Sequence, residues 1–324
     1  MAAFRPLHPQ PHLAQANVHN PAHIMQTIEL HPSIAPFSRI VYGAWRMNEG
    51  TDNSPKEALA KIHACLDIGI TSFDHADIYG NYSCESMFGA ALKLDPSIKQ
   101  KIQIVTKCDI MLKSDKYPLR TTKHYDTSPE HIRASVDASL QRLGIDAIDV
   151  LLLHRPDPFM HADNTGACLD ALVKAGKIRA VGVSNFKPWD WSLLQASMQS
   201  PLVTNQIEIN LLATDALTDG SLAQAQQFKA PPMAWSPLAG GKLFNDNAAA
   251  NRLRPALQRI ANQFNVSMDA VAVAWLLAHP ARILSVMGTN NLARIAKLAD
   301  AFKVDMPREV WFELLEHAVG GEVA

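Results

Sequence analysis

The chain has 324 residues, enough for one large domain or two modest ones around a substantial core. Hydrophobic residues make up 48% and charged residues 19%, a globular composition that excludes a disordered chain. With 30 Lys and Arg against 31 Asp and Glu, a net charge of −1 lacks the basic excess of a nucleic-acid binder. No apolar stretch approaches the roughly 18–20 residues that a membrane span requires.

Residues 1–24 contain Pro6, Pro9, Pro11 and Pro21, one Arg, no acid and no Gly. Such a segment has no material for a core and lacks the basic start and apolar centre of a secretory signal, so it reads as a disordered Pro/His-rich extension. The domain itself is expected over 25–324, opening at Met25. The histidines of the extension show no helical or alternating ligand spacing, so no metal site is expected. Cys65, Cys84, Cys108 and Cys168 form no CxxC pair and read as reduced thiols of a cytoplasmic protein.

From residue 39 the chain alternates short apolar runs with longer amphipathic ones. Near-continuous apolar runs fall at 39–45, 71–76, 102–108, 147–154, 180–184, 205–209, 233–236 and 283–287. That is how parallel strands covered on both faces read. Between them lie helix starts at Ser54-Pro55, Ser128-Pro129 and Ser267-Met268-Asp269, each with a side chain suited to an N-cap. Gly176 supplies a helix stop, being free to take a left-handed conformation. Eight strands, each followed by helical sequence, predict an α/β fold, a (β/α)8 TIM barrel. The rival is an open doubly wound sheet, but the first strand is followed by Arg46-Met47-Asn48-Glu49-Gly50 and not by a Gly-rich dinucleotide fingerprint.

Barrel active sites lie at the carboxyl ends of the strands, so polar residues there carry most weight. Asp74, Lys107 and His154 end three successive predicted strands, and Tyr79 follows five residues after Asp74. A Lys and an Asp in such positions are costly unless they pair. An ammonium beside a Tyr hydroxyl favours the phenolate and is expected to lower the Tyr pKa, which suits a general acid. Each residue alone could merely brace the barrel; together on three strand ends they point to chemistry. The 19 residues of 109–127 are too long for an ordinary connection and are expected to shape a substrate pocket. Trp45, Arg46 and Met47 after the first strand, and 156–159 after the fourth, complete its expected wall, with Trp45 and Phe159 making it partly apolar.

The stretches Phe73-Asp74-His75-Ala76-Asp77-Ile78-Tyr79-Gly80, Leu152-Leu153-His154-Arg155-Pro156, Gly182-Val183-Ser184-Asn185-Phe186, Asn205-Gln206 and Trp235-Ser236-Pro237-Leu238-Ala239-Gly240-Gly241 together resemble the aldo-keto reductases. The resemblance runs from about residue 27 to the end and is greatest to a bacterial oxidoreductase branch. It implies a catalytic tetrad in which Asp74 pairs with Lys107, Tyr79 donates the proton and His154 orients the substrate carbonyl. It also implies NADPH bound on a barrel without a Rossmann domain, with direct hydride transfer to an aldehyde or ketone.

By the same resemblance, Ser184, Asn185 and Gln206 would hold the nicotinamide carboxamide, and Trp235 would stack on the ring. Gly43, Ser236, Pro237, Leu238 and Gly240 would line the cofactor, and Gly288, Thr289 and Arg294 would hold the adenosine phosphate. The resemblance and Arg294 make NADPH the expected cofactor over NADH, while Gly288 stands where some members have a Lys for the 2′-phosphate, a departure that leaves Arg294 with less help and counts against that preference. Taken singly, Ser184-Asn185 also reads as a turn, Trp235 as core and Arg294 as a solvated helix face. A small carbonyl compound is the expected partner, with a monomer sufficient for the barrel. Two other readings are a cofactor-binding regulatory barrel with little turnover and a metal-dependent hydrolase, the latter short of ligands.

Overall fold

A computed structural model describes residues 25–323. The extension read at 1–24 lies outside the described residues. Eight parallel strands close into a barrel in sequence order. They are β1 (Ile40–Gly43), β2 (Ser72–Asp74), β3 (Gln103–Cys108), β4 (Ile148–Leu153), β5 (Ile178–Ser184), β6 (Leu202–Glu208), β7 (Met233–Trp235) and β8 (Leu284–Met287). Every predicted strand has its counterpart. β5 starts earlier than its apolar run because the charged Arg179 is accommodated by pairing with Asp149 of β4 at 3.3 Å.

Helices cover the outside, among them α1 (Pro55–Asp67), α2 (Cys84–Leu94), α3 (Pro129–Leu143) and α4 (Ala162–Lys174). The predicted starts are used physically. Ser54 Oγ accepts the Glu57 N–H at 3.2 Å, and Ser128 Oγ accepts the His131 N–H at 3.3 Å. Ser267 is an N-cap by backbone conformation alone. Gly176, with φ +73°, follows the end of α4 as expected.

The barrel interior is assembled by period-two alternation. Val41, Val105, Val150, Leu152, Ala180, Val203, Met233, Leu284 and Val286 form one buried cluster. An antiparallel ribbon, Thr27–Ile28 with Phe37–Ser38, contributes Ile28, Ile34 and Phe37 to that same cluster and closes the barrel at its amino end. Two residues beyond Val105 comes Lys107, two beyond Leu152 comes His154, and two beyond Met233 comes Trp235. The same inward face that is apolar below is therefore chemical at the mouth. In β6 the register slips between Leu202 and Asn205, which lets Val203 and Gln206, three positions apart, both face inward.

No helix among the described residues is long and apolar enough to cross a membrane.

Candidate active site

Lys107 is fully buried, and its Nζ is ringed by oxygen. It donates to both Asp74 carboxylate oxygens at 2.7 Å, to the His75 carbonyl at 2.8 Å and to the Tyr79 hydroxyl at 3.0 Å. The pair that the sequence demanded is thus formed, between the ends of β2 and β3, with Tyr79 brought onto it by the short helical turn Tyr79–Tyr82. Burial pulls the Lys107 pKa down, and the Asp74 carboxylate pulls against it.

The expected lowering of the Tyr79 pKa is not found. Burial, and then the Asp74 carboxylate, push it well above 10. The physical reason is that burial of the hydroxyl, together with the Asp74 carboxylate, outweighs the neighbouring Lys107 ammonium in the resting site. Tyr79 is a phenol that keeps its proton at neutral pH.

His154 ends β4, and its ring stands edge-on to Tyr79 with centroids 6.0 Å apart. Burial, followed by the charges of Lys107 and Arg155, holds its pKa well below 6.5, so the imidazole is neutral. Its Nδ1 is buried without a partner. The tautomer protonated at Nε2 leaves only an acceptor enclosed there and offers an N–H donor to the cavity that the ring lines.

A second network floors the cavity beside these groups. Ser184 Oγ donates to the Gln206 carbonyl at 2.8 Å, and Asn185 Nδ2 donates to Ser184 Oγ at 2.9 Å and to the His154 carbonyl at 3.2 Å. Trp235 Nε1 donates to Asn185 Oδ1 at 2.9 Å, and Gln206 Nε2 donates to Asp74 Oδ1 at 2.7 Å. Asn185 sits in the left-handed region, φ 61°. So do Asn81, Tyr82, Asp109, Ser236 and Ala239 in segments that follow barrel strands at the mouth, against Lys229, Asn265 and Arg282 elsewhere. Strained backbone gathers at functional sites in this way.

The cavity at the mouth measures about 870 Å³. Asp74, Tyr79 and His154 line it, while Lys107 lies behind them. Gly43, Ser184, Asn185, Gln206, Trp235, Ser236, Pro237, Leu238, Gly240, Gly288 and Arg294 line it too, as does the pocket pair Trp45 and Arg46. Glycine is required at 288 because a Cβ there would come within 2.9 Å of the Gly43 carbonyl oxygen.

Several predicted positions fall elsewhere, and none of the expected wall at 156–159 lines the cavity. Phe159 is 96% exposed and outside the cavity, since its N–H is drawn to Asp157 Oδ1 at 2.8 Å in a turn that leads away from the mouth. Thr289 does not line the cavity; its carbonyl accepts the Tyr42 hydroxyl at 2.9 Å, and its Oγ1 accepts the Asn291 N–H. Met47, also expected in the wall, is buried in the core.

The long 109–127 segment forms a ribbon, Ile110–Met111 with His124–Tyr125, and gives Ile110 and Lys123 to the cavity. Arg155 lines it as well, although it was read only as part of a motif; its place next to His154 was the available signal. Ser267, Met268 and Asp269 at the start of the helix Met268–Leu277 were read only as a cap and also line the cavity. Nothing in the spacing of 109–127 singled out Lys123.

A family model described as the aldo/keto reductase family matches residues 39–318. A 6-dehydroglucose reductase from Agrobacterium fabrum is 53% identical over 300 residues, covering 93% of this chain and all of that protein. Oxidoreductase YdhF from Escherichia coli is 40% identical, covering 93% of this chain and 100% of that one. Among solved structures, a glycerol dehydrogenase from Gluconobacter oxydans matches with a TM-score of 0.80 at 26% identity, over 92% of this chain and 97% of the other. An aldo-keto reductase from Klebsiella pneumoniae in complex with NADPH shares the fold, with a TM-score of 0.74 at 23% identity over 90% and 94% of the two chains. A family match over nearly the whole barrel, with full-length relatives at such identity, makes the chain a member of the aldo/keto reductase family of oxidoreductases.

Proposed function

We propose that this chain catalyses NADPH-dependent reduction of an aldehyde or ketone to an alcohol, with Tyr79 as the proton donor. The observation that carries the proposal is Lys107 Nζ standing between Asp74 and the Tyr79 hydroxyl, at 2.7 and 3.0 Å, directly behind the wall that Asp74 and Tyr79 give to an open cavity. When NADPH is bound, C4 of its nicotinamide supplies the hydride to the carbonyl carbon.

This chain's own residues do the rest. Neutral His154 offers an N–H to the carbonyl oxygen and fixes its direction. Tyr79, held protonated by burial and Asp74, gives its proton to that oxygen as negative charge develops on it. The Lys107 ammonium, 3.0 Å from the phenol oxygen, then stabilises the tyrosinate that remains. The Lys107 charge thus acts in the transition state more than in the resting site, which is what catalysis requires.

The cofactor fits the residues present. Ser184, Asn185 and Gln206 place amide and hydroxyl groups on the cavity floor, and Trp235 offers an aromatic face beside them. At the other end Arg294 and Lys297 line the cavity and, among the described residues, make no ion pair. Such free cations suit a 2′-phosphate and support NADPH over NADH. The name of the Agrobacterium relative, a 6-dehydroglucose reductase, makes a hydroxylated aliphatic aldehyde the first substrate to test.

Tyr79→Phe tests the mechanism. NADPH binding, read by fluorescence titration, is expected to stay within about twofold, while reduction falls by at least about a hundredfold. Retained turnover overturns the role of Tyr79. In the same titration Arg294→Ala weakens NADPH binding and leaves NADH binding as it was; equal loss for both overturns the assignment to the 2′-phosphate.

A further inference from the structure

The cavity that holds Tyr79 and His154 carries more cations than carboxylates. Trp45, Ile78 and Ile110 add apolar surface to it, and Arg46, Lys123 and Arg155 also line it. Of its two carboxylates, Asp74 is already taken by Lys107 and Gln206, and Asp269 stands in the first turn of the helix Met268–Leu277. Arg46 lies beside Glu49 at 3.8 Å and over the Trp45 ring at 4.9 Å, so it has partners. Arg155 and Lys123 have none: among the described residues neither side chain makes an ion pair or a hydrogen bond.

Arg155 is half-buried, and its guanidinium acts on both Tyr79 and His154; Lys123 acts on His154. Both also stand on the wall of the same cavity as Tyr79 and His154, and Arg155 follows His154 directly in the chain. The backbone fixes Arg155 there, since its N–H donates to the buried Asp109 Oδ2 at 3.1 Å. A partly buried cation without a counter-charge is costly, and a guanidinium or an ammonium has only donors to offer. The complement is a ligand that presents acceptors.

We propose that Arg155 and Lys123 form a specificity subsite for substrate oxygens, so that the preferred substrates are carbonyl compounds whose non-reacting end carries hydroxyl or carboxylate oxygens. The proposal rests on the reductase reading above and deepens it. Carboxylate and hydroxyl share the acceptor chemistry but differ in charge and in how they meet a planar guanidinium. Arg155 is the centre of the subsite because its main chain is anchored, and Lys123 is its flexible partner on the loop.

The test is steady-state reduction with NADPH of two matched pairs, propanal with glyceraldehyde and butanal with succinic semialdehyde. For at least one pair, kcat/KM is expected to favour the oxygenated member by at least about tenfold, the range of one charge-assisted hydrogen bond. The favoured pair identifies hydroxyl or carboxylate as the recognised group. Arg155→Met and the exposed-site variant Lys123→Met both reduce that ratio, Arg155→Met to about twofold or less, with NADPH binding retained. Arg155→Lys restores part of it for a hydroxylated tail and little for a carboxylate. Equal use of both members of both pairs overturns the subsite while the reductase reading stands, and so does a ratio unmoved by either Met variant. No NADPH consumption with any of the four aldehydes overturns the reductase reading, and the subsite with it.

Discussion

Gln206 Nε2 donates to Asp74 Oδ1 at 2.7 Å, so a side chain from the end of β6 braces the acid at the end of β2 across the barrel mouth. The carboxylate that answers Lys107 is thereby tied to the floor where the nicotinamide is proposed to lie. Replacing Gln206 by Leu removes the amide and keeps the bulk. Asp74 then loses one of its two donors, at a cost of about 1–3 kcal/mol in stability. Thermal unfolding is expected to show that loss, and NADPH affinity is expected to fall in parallel, because the same side-chain amide braces Asp74 and is proposed to hold the nicotinamide carboxamide. A loss of stability with unchanged NADPH binding would separate the two.

Asp74→Asn keeps the shape and removes the charge. Lys107, wholly enclosed, is then left without its counter-ion, and removing one partner of a buried pair costs about 3–5 kcal/mol. The double variant Asp74→Asn, Lys107→Met removes the stranded charge and should recover much of that stability. It should recover none of the reduction, since Tyr79 has lost the ammonium that stabilises its anion. Comparing unfolding midpoints and NADPH oxidation across wild type, single and double variants separates the structural role of the pair from its chemical one.

The barrel was legible because its strands are covered on both faces and so read as apolar runs, and because Asp74, Lys107 and His154 stand at the ends of three of them. Period two does the rest: a residue two places beyond Val105 or Leu152 must point into the same interior. What was not legible depends on contacts distant in sequence. The plug at Thr27–Ile28 and Phe37–Ser38 is two residues per strand, too short to show alternation. The shift at β6 that turns Gln206 inward leaves no mark in composition. Phe159 was misplaced because an aromatic residue after a strand end looks like a pocket wall, and the turn held by Asp157 sends it the other way. The Tyr79 pKa goes the other way because the reading weighed the Lys107 ammonium and left out the burial of the hydroxyl and the Asp74 carboxylate that lies 2.7 Å from Lys107.

Trp235 has two separable properties, an aromatic face on the cavity and an N–H that donates to Asn185 Oδ1 at 2.9 Å. Trp235→Phe keeps a face and deletes the donor. Asn185, already strained at φ 61°, is then free to rotate its amide. The expected result is an NADPH KM raised by several-fold with a much smaller change in kcat, since Tyr79, Lys107 and His154 are untouched. A fall in kcat with KM unchanged would move Trp235 from cofactor positioning to the chemical step.

Asp77 lies two residues before Tyr79, buried, with Oδ1 lacking any partner. Burial, and then the nearby Glu85, raise its pKa from 3.8 to about 8, with Arg142 and Arg120 pulling the other way. Arg142 is already committed to Glu85 at 2.8 Å, and Thr106 and Ser139 donate to that same carboxylate, so Arg142 has little left to offer Asp77. The folded protein therefore holds a proton on Asp77 that the unfolded chain releases near pH 4. The stability this contributes is complete below about pH 4 and is lost as pH rises toward about 8, at no more than about 1.4 kcal/mol per pH unit from this one group. Asp77→Asn mimics the protonated form at every pH. Its unfolding midpoint should match wild type near pH 4, exceed it at pH 8, and vary less across the interval. The buried Asp109, also raised well above its ordinary value, leaves a residual slope in the variant. A slope identical to wild type would mean that Asp77 ionises in the fold, with Arg142 and Arg120 outweighing burial and Glu85.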